Sequence, residues 1–364
     1  MKEMRRFLIK LIGNKKKKEF KIENIKRVLI LGGRVGDIIV KTPLLSALSN
    51  VNKEIKIDVI VEKGAESLLW NHPNVNYIII EEKNKSKLKI FRIIQEIVKA
   101  FKLRNKYDLY FDFTRNPRFF HLLALRIMNP KYLIGCYRME KFGIKKDELS
   151  IFDKYIDNKS TDHAVDINMK ALDGFGIDNS NRKYELYLGE LEEKYKDYFN
   201  KDKINIVFNF LGSSQSRCLK EEDIEYFCKN IPKIDNKIEL HILTIPRIYE
   251  QIKSKIDTLN LENVKLLPKT KNILEASAII KYADMLFSVD TGVIHVASVY
   301  NIPIVAIYTE DKDTLIIFAP KSDINSVIIG KKEKNLKILD KEIVIKNIKE
   351  TLKKMENINE KYKI

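Results

Sequence analysis

The sequence predicts an α/β protein that contains two doubly wound units, and three observations predict it. Short apolar, β-rich runs alternate with helical segments, as in parallel sheets whose strands are joined by crossover helices. The alternation restarts at residue 204, after a charged stretch at 189–203. The chain has 364 residues, of which 45% are hydrophobic. Its length therefore suits about two domains, and its composition excludes wholesale disorder.

In the first half, five apolar runs predict buried strands, because a parallel sheet is covered on both faces. The runs are 26–33, 56–63, 76–82, 107–113 and 131–136. Segments with helical spacing predict helices at 42–51, 64–73, 83–106, 119–128 and 163–177. Pro73 ends the second of these helices, and two glycines, Gly174 and Gly176, end the last.

The second half follows the same alternation. Strands are predicted at 204–212, 237–245, 264–268, 285–290 and 302–309, and helices at 221–231, 247–259, 272–283, 292–301 and 341–358. We therefore divide the chain into a basic N-terminal segment (1–20), a first doubly wound domain (21–185), a second (186–340) and a closing helix (341–364).

The positive charge is concentrated in the first half. The net charge is +17, of which residues 1–180 carry +14 and residues 181–364 carry +3. Segment 1–20 has eight basic and two acidic residues, and segment 83–106 has nine basic residues. Such an excess favours anionic partners, either nucleic acid, acidic lipid or phosphorylated sugars. The alternative is that these lysines are only solvated.

Both basic segments also carry apolar residues at helical spacing. In the first they are Phe7, Leu8, Leu11 and Ile12, and in the second they are Ile90, Ile94, Ile97 and Phe101. We expect the first set to insert shallowly into an anionic membrane surface as an interfacial helix. We expect the second set to pack on the sheet, with its lysines in solvent.

Cysteine usage and hydropathy bear on the compartment. The three cysteines, Cys136, Cys218 and Cys228, are odd in number and share no metal-ligand spacing. They argue against a disulfide framework or a zinc site and fit a reducing compartment. No stretch approaches the roughly 20 uncharged apolar residues that a membrane span needs. A cytoplasmic protein is the expectation.

The first strand ends in a glycine-rich turn, LGGRVGDIIVKTP (31–43). Gly32, Gly33 and Gly36 allow a tight turn that also contains Arg34, and the helix that follows offers its N-terminal amides to an anion. The spacing fits neither a Walker loop nor a dinucleotide fingerprint. Asp37 stands just after the turn, where a carboxylate could accept a proton from a substrate hydroxyl. The alternative, which the local sequence by itself favours, is that Asp37 only caps the helix.

Two further groups stand at predicted strand ends in the second half. Asp290, Thr291, Gly292 and His295 offer a carboxylate, a hydroxyl, an exposed amide and an imidazole, which suit a ribose and a diphosphate. His295 could instead be structural, as a lone histidine on a helix often is.

The second group follows the strand at 204–212. Ser213 and Ser214 can donate hydrogen bonds to phosphate oxygens, and Arg217 can pair with a diphosphate. The alternative is an ordinary serine-rich turn.

These motifs together resemble glycosyltransferase family 9, the ADP-heptose:lipopolysaccharide heptosyltransferases. The resemblance rests on Gly36-Asp37 with TPLLSAL, on DVIVEKGAESLLWNHPNV (58–75), on DTGVIHVAS (290–298) and on PIVAIY (303–308). It implies the GT-B architecture, with two Rossmann-like domains facing across a cleft. The first domain would bind the acceptor and the second the nucleotide sugar, and the closing helix would pack back toward the first domain.

The resemblance also implies roles for the residues. Asp37 would be the general base, in an acceptor-side turn that also contains Gly33, Arg34 and Gly36. Asp290, Thr291, Gly292 and His295 would surround the donor's diphosphate and sugar. Arg217 falls where the family usually has a phosphate-binding lysine. The donor would be ADP-heptose, with no metal and no other cofactor.

The partners implied are a phosphorylated glycolipid acceptor and the anionic inner leaflet, with no nucleic acid, and the chain is expected to be a monomer. Two alternatives stay open: a sugar-nucleotide epimerase of the same architecture, and a non-catalytic protein that binds an anionic ligand.

Overall fold

A computed structural model describes residues 2–82, 89–114, 117–136, 144–145, 148–157, 159 and 161–361. The chain divides into two compact units. Unit 1 contains Met1–Arg34 and Val40–Lys183, and unit 2 contains Val35–Ile39 and Tyr184–Ile364. The short segment Val35–Ile39 therefore groups with unit 2, although the chain on both sides of it belongs to unit 1.

Unit 1 is built on a parallel sheet of six strands in the order β3-β2-β1-β4-β5-β6. The strands are β1 (Arg27–Gly33), β2 (Lys56–Glu62), β3 (Tyr77–Glu81), β4 (Leu109–Asp112), β5 (Tyr132–Gly135) and β6 (Lys154–Tyr155). The α-helices in this part of the chain are α1 (Lys2–Ile12), α2 (Val35–Ile39, in unit 2), α3 (Thr42–Val51), α4 (Lys89–Lys102), α5 (Phe119–Met128) and α6 (Ala164–Lys170). This strand order is that of a dinucleotide-binding Rossmann sheet, and it reverses direction between β1 and β4.

Unit 2 repeats the order with one added strand, as β13-β12-β11-β10-β7-β8-β9. The strands are β7 (Ile204–Asn209), β8 (Ile238–Leu243), β9 (Val264–Leu266), β10 (Met285–Val289), β11 (Ile304–Thr309), β12 (Asn325–Lys332) and β13 (Leu336–Lys337). The helices are α7 (Leu191–Tyr195), α8 (Glu221–Asn230), α9 (Tyr249–Leu259), α10 (Ile273–Ile280), α11 (Gly292–Val299), α12 (Lys312–Ile317) and α13 (Lys341–Lys361). Only β13 pairs antiparallel among the described strands.

Several strands of unit 2 are buried along their whole length, as expected for a parallel sheet that is covered on both faces. Every residue of β8, β10 and β11 is buried. In the core of unit 2, Phe208, Phe227 and Phe287 pack ring against ring, with centroids 4.7–6.0 Å apart. The closing helix α13 adds Val344 and Ile348 to that same core. The predicted packing of this helix toward the first domain stays a prediction.

Several predicted elements differ from the structure. The helix predicted at 64–73 is only a 3₁₀ turn, Glu66–Leu69, because Gly64 has φ +95 and Pro73 follows shortly. The helix predicted at 163–177 ends at Lys170, before glycines at positive φ. The sequence analysis did not predict α2, β6, α7, α12, β12 or β13. The predicted residues 83–88 lie outside the described part of the chain.

Lys15, Lys17 and Lys18 take part in the fold. Lys15 and Asp153 form a buried ion pair of 2.6 Å, and Lys17 lies 3.3 Å from the same carboxylate. Lys18 donates to the carbonyl and side chain of Asn129. Much of the positive charge in segment 1–20 is therefore held near acidic or carbonyl oxygens of unit 1.

The prediction that the Ile/Phe face of 83–106 packs on the sheet is wrong for most of its residues. Ile97 packs against the core of unit 1, but Ile90, Ile94 and Phe101 are exposed. The buried side of α4 is offset from the predicted one and includes Ala100.

Candidate active site

In unit 2, two of the predicted groups meet at the point where the strand order reverses. The adjacent parallel strands β7 and β10 end at Asn209 and Val289. Asp290 follows β10 directly, and the loop after β7 carries Arg217. Ligands of doubly wound folds bind outside the carboxyl ends of the strands at such a reversal. The predicted donor residues therefore lie where this fold binds its ligands.

Arg217 and Asp290 form an ion pair. The Arg217 Nη1 atom lies 3.1 Å from Asp290 Oδ2. Burial raises the pKa of Asp290 above its ordinary value, and the Arg217 guanidinium opposes that shift only in part. Among the described residues, no donor is aligned for a hydrogen bond to Asp290 Oδ2. The pair thus combines a partly exposed cation with a carboxylate oxygen that retains capacity to accept a hydrogen bond.

A glycine that the sequence analysis did not single out shapes this loop. A Cβ at Gly212 would lie 2.4 Å from Arg217 Cβ and 2.6 Å from the Arg217 carbonyl oxygen. The loop therefore folds back on itself at Gly212, which fixes the start of the Arg217 side chain. The predicted Ser213 and Ser214 are exposed in the same loop, and Ser214 Oγ lies 3.1 Å from Ser216 Oγ.

The helix that follows β10 begins directly at the predicted motif. Thr291 is the extended N-cap of α11, and its side chain makes no capping bond. Gly292 is the first helical residue, so the first amides of α11 lie beside Asp290. These amides are unsatisfied within a helix and carry partial positive charge, which suits an anion.

His295 is enclosed. Its side chain is buried on the first turn of α11, and its ring lies edge-on to Tyr184 and Phe318, with centroid distances of 6.3 and 5.9 Å. A Cβ placed on Gly36 would come within 2.8 Å of His295 Cδ2. The imidazole therefore packs directly against the backbone of α2.

A second glycine completes the contact between α2 and α11. A Cβ on Gly292 would lie 2.4 Å from Val35 Cγ1 and 3.2 Å from the Gly36 nitrogen. Any larger residue at Gly36 or Gly292 would push the two helices apart. Both glycines are therefore needed for the close approach of α2 and α11.

Asp37 is the third residue of α2 and is half-buried. An N-cap residue would precede Val35, so the helix-cap interpretation of Asp37 does not fit this boundary. The carboxylate instead lies in the first turn, one residue after the glycine that packs on His295. α2 thereby brings the candidate base into the same unit as Arg217 and Asp290.

The rest of the predicted acceptor-side turn belongs to unit 1. Gly33 ends β1 with φ +91, a conformation that favours glycine, and the pairing with β2 shifts register there. Arg34 is exposed, and its Nε atom lies 3.2 Å from Glu62 Oε2.

The buried Lys41, which the sequence analysis did not single out, donates to the Gly32 carbonyl at 3.0 Å. Its Nζ atom also lies 5.1 Å from the centre of the Phe113 ring.

An ionic cluster at the end of β4, buried at Asp112 and partly exposed at His121 and Glu96, also escaped the sequence analysis. His121 Nε2 lies 2.9 Å from Asp112 Oδ2, and its Nδ1 lies 2.7 Å from Glu96 Oε1. Burial lowers the pKa of His121, but the two carboxylates outweigh it and raise the pKa to about 10. The one sequence signal for this cluster was Asp112, a carboxylate near the end of a predicted strand.

Among the described residues, no group of three or more His, Cys, Asp or Glu side chains is arranged to hold a metal ion.

Comparison with known proteins identifies the family of this chain. The model of glycosyltransferase family 9 (heptosyltransferase) matches residues 142–348, which is more than half of the chain. The chain belongs to glycosyltransferase family 9. Membership makes the chain a glycosyltransferase. It therefore favours sugar transfer over the two alternatives, a sugar-nucleotide epimerase and a non-catalytic protein that binds an anionic ligand.

The relatives of this family 9 chain match it over nearly its whole length. Lipopolysaccharide heptosyltransferase 1 of Campylobacter coli is 24% identical over 332 residues, which cover 87% of this chain and 93% of the relative. A family 9 glycosyltransferase of Veillonella parvula has a TM-score of 0.69 at 16% identity, covering 92% of this chain and 99% of the neighbour.

An Escherichia coli heptosyltransferase solved with ADP has a TM-score of 0.64 at 17% identity, and the match covers 89% of this chain and 99% of the neighbour. The predicted GT-B architecture, with its two Rossmann-like domains, is confirmed.

Proposed function

We propose that this family 9 glycosyltransferase moves heptose from ADP-heptose to a lipopolysaccharide-core or related glycolipid acceptor, with inversion at the anomeric carbon. The family name and the name of the Campylobacter coli relative support heptose and lipopolysaccharide. The Escherichia coli structure with ADP supports the adenine nucleotide. No other cofactor is part of the proposal.

The observation that carries the proposal is the contact between α2 and α11. Asp37 stands next to Gly36, whose backbone lies against the His295 ring on the first turn of α11. Asp290 and the amides at the start of α11 belong to the same turn of chain. A candidate base and candidate diphosphate ligands therefore flank the same helix contact, which supports an inverting transfer in which the base and the donor lie close together.

The reaction follows from those groups. Asp37 removes the proton of an acceptor hydroxyl, and the hydroxyl oxygen bonds to the anomeric carbon while the bond to the diphosphate breaks. The leaving diphosphate gains negative charge. Arg217, the hydroxyls of Ser213 and Ser214 and the first amides of α11 would stabilise that charge, since fixed donors act most strongly where charge develops.

The acceptor chemistry implies a location. A phosphorylated glycolipid presents its sugar at a membrane surface, so the enzyme would be cytoplasmic and peripherally associated with the anionic inner leaflet. The positive charge of residues 1–180 supports this assignment.

The test is Asp37→Asn in a transfer assay with ADP-heptose and a heptose-deficient lipopolysaccharide core. We expect turnover to fall at least about 100-fold with ADP affinity nearly unchanged, since a general base contributes on that scale. Asp202→Asn, in an exposed loop, is the matched control and should retain full turnover. Full turnover by Asp37→Asn would exclude Asp37 as the base. Turnover of a nucleotide sugar without transfer to any acceptor would contradict the proposed function itself.

A further inference from the structure

Helix α4 exposes an apolar face that no described part of the chain covers. Ile97 and Ala100 pack against the core of unit 1 on its inner side. On the adjoining outer side, five large apolar side chains are each 46–56% exposed: Ile90, Phe91, Ile94, Val98 and Phe101. Exposed apolar residues are normal singly, but a contiguous set marks an interaction site.

Helix α1 repeats this arrangement. Ile9 is buried in the core of unit 1, and Ile12 packs against it. Around the helix from them, four large apolar side chains are 37–66% exposed: Met4, Phe7, Leu8 and Leu11. Two helices thus each bury one apolar side and expose another.

Both helices lie on the same side of the sheet. Each contacts α5, and each contributes to the core cluster that contains Leu122 and Leu125 of α5. Between them, α5 exposes Phe120. We call the exposed apolar side chains of these helices the α1/α4 face.

Basic residues accompany the α1/α4 face. Residues 2–12 contain four basic residues and one acidic residue, and residues 89–102 contain the same numbers. Arg92 and Lys102 on α4 are exposed and form no ion pair among the described residues. Lys10 and Arg6 on α1 are partly engaged by Glu148. Apolar side chains bordered by cations are the composition of helices that lie in a lipid interface.

We infer that the α1/α4 face docks on the surface of an anionic lipid bilayer. The apolar side chains enter the boundary between headgroups and acyl chains, and Arg92 and Lys102 contact the headgroups. Charge complementarity selects this occupant over a second copy of the chain, because two copies would bring two positive surfaces together. The inference deepens the proposed function, since it states how an enzyme with a glycolipid acceptor reaches that acceptor.

Point variants test the inference better than deletion of α1, because deletion would remove Ile9 from the core. Ile94→Asn and Leu11→Asn replace side chains that are 48% and 63% exposed. Their matched controls are Ile343→Asn and Leu339→Asn in unit 2, at 47% and 62% exposure. The probes are phosphatidylglycerol-containing vesicles and pure phosphatidylcholine vesicles, and the readout is cosedimentation of the full chain.

We expect wild type and both controls to bind the anionic vesicles at low salt and to be released near 1 M salt, where the Debye length is about 3 Å. Ile94→Asn and Leu11→Asn should each weaken binding about tenfold, since each removes a large apolar group from the interface. Arg92→Gln with Lys102→Gln should weaken binding to anionic vesicles and leave the weak binding to phosphatidylcholine unchanged.

Three results would overturn the inference: no vesicle binding by wild type, wild-type binding by Ile94→Asn and Leu11→Asn together, or equal loss in the controls. A wild-type dimer that Ile94→Asn dissociates, without vesicle binding, would assign the face to a second copy instead. The transfer assay separates the two proposals. Ile94→Asn should keep its turnover on a deacylated, water-soluble core acceptor. Absence of transfer by the wild type, with its vesicle binding intact, would count against the proposed function alone.

Discussion

Arg217 brings a positive charge to the carboxyl ends of the strands of unit 2, where doubly wound folds bind their ligands. Its Nη1 atom, 3.1 Å from Asp290, lies beside the first amides of α11. Arg217→Ala should weaken binding of a nucleoside diphosphate at least about tenfold, since a hydrogen bond to a charged group contributes about 1.5–3 kcal/mol. Calorimetry with ADP, GDP and UDP measures this, with Lys253→Ala on the exposed side of α9 as the control. Unchanged affinity for whichever nucleotide binds would remove Arg217 from the donor site.

His121 should make the stability of unit 1 depend on pH. Its pKa is about 10 in the folded chain against an ordinary 6.5, because the carboxylates of Asp112 and Glu96 outweigh its burial. Below about pH 6.5 both folded and unfolded chains are protonated, and the stabilisation is complete. Between 6.5 and 10 only the folded chain keeps the proton, so the stabilisation declines as pH rises, and it is lost above about pH 10.

The measurement is urea unfolding across that pH range for wild type and His121→Gln, followed by the fluorescence of Trp70, the one tryptophan of the chain, in unit 1. Near pH 7 the variant should be less stable by about 2 kcal/mol, the scale of hydrogen bonds to a charged group. The difference between the two proteins should shrink toward pH 10. A difference that stays constant with pH would show that His121 acts by packing alone.

At the scale of the elements, the contact of α2 with α11 decides where Asp37 stands. Gly36→Ala would place a Cβ 2.8 Å from His295 Cδ2, so α2 must shift. We expect turnover to fall more than tenfold while ADP affinity changes little, because a small displacement of a catalytic group costs on that scale. His295→Ala alone should lower both turnover and ADP affinity.

The double variant Gly36→Ala with His295→Ala distinguishes packing from chemistry. Removal of the ring makes room for the added methyl group, so the two effects on turnover should be less than additive. Gly64→Ala is unsuitable as a control, because Gly64 has φ +95. Gly32→Ala and Gly212→Ala are unsuitable too, because both glycines are closely packed. Ala297→Gly, on the same helix but away from α2, therefore serves as the helix control. Additive losses would argue that His295 contacts the donor and does not position α2.

At the scale of the whole molecule, each unit has its own sheet and its own buried cluster. A ligand held by unit 2 should stabilise that unit by mass action. ADP at about 100 times its dissociation constant contributes about 2.7 kcal/mol, which corresponds to about 5–10 °C in the melting temperature of a unit of this size.

Calorimetry should show this increase, and the midpoint reported by Trp70 in unit 1 should move less. Equal shifts by both probes would mean that the units unfold together, and no shift would contradict donor binding by unit 2. No described helix is both long enough and apolar enough to cross a membrane.

The sequence predicted the regular strands well because burial on both faces leaves a direct mark on composition. The strands β7, β8, β10 and β11 all coincide with predicted strands and are mostly apolar. The prediction failed for β12, where Asn325, Ser326 and Lys331 interrupt the apolar run and β13 pairs beyond it. It also failed at 64–73, where a glycine at positive φ restricts the chain to one 3₁₀ turn.

The sequence by itself determined the two doubly wound units, the family and the strand-end positions of Asp37, Arg217 and Asp290, because these depend on local pattern and order along the chain. Tertiary structure alone decided which atoms meet. It pairs Arg217 with Asp290 from strands that are distant in sequence, and it packs Gly36 on His295. It also leaves part of the apolar surface of α4 exposed. Apolar residues cover about half of the circumference of this helix, and only those that face neighbouring elements can be buried.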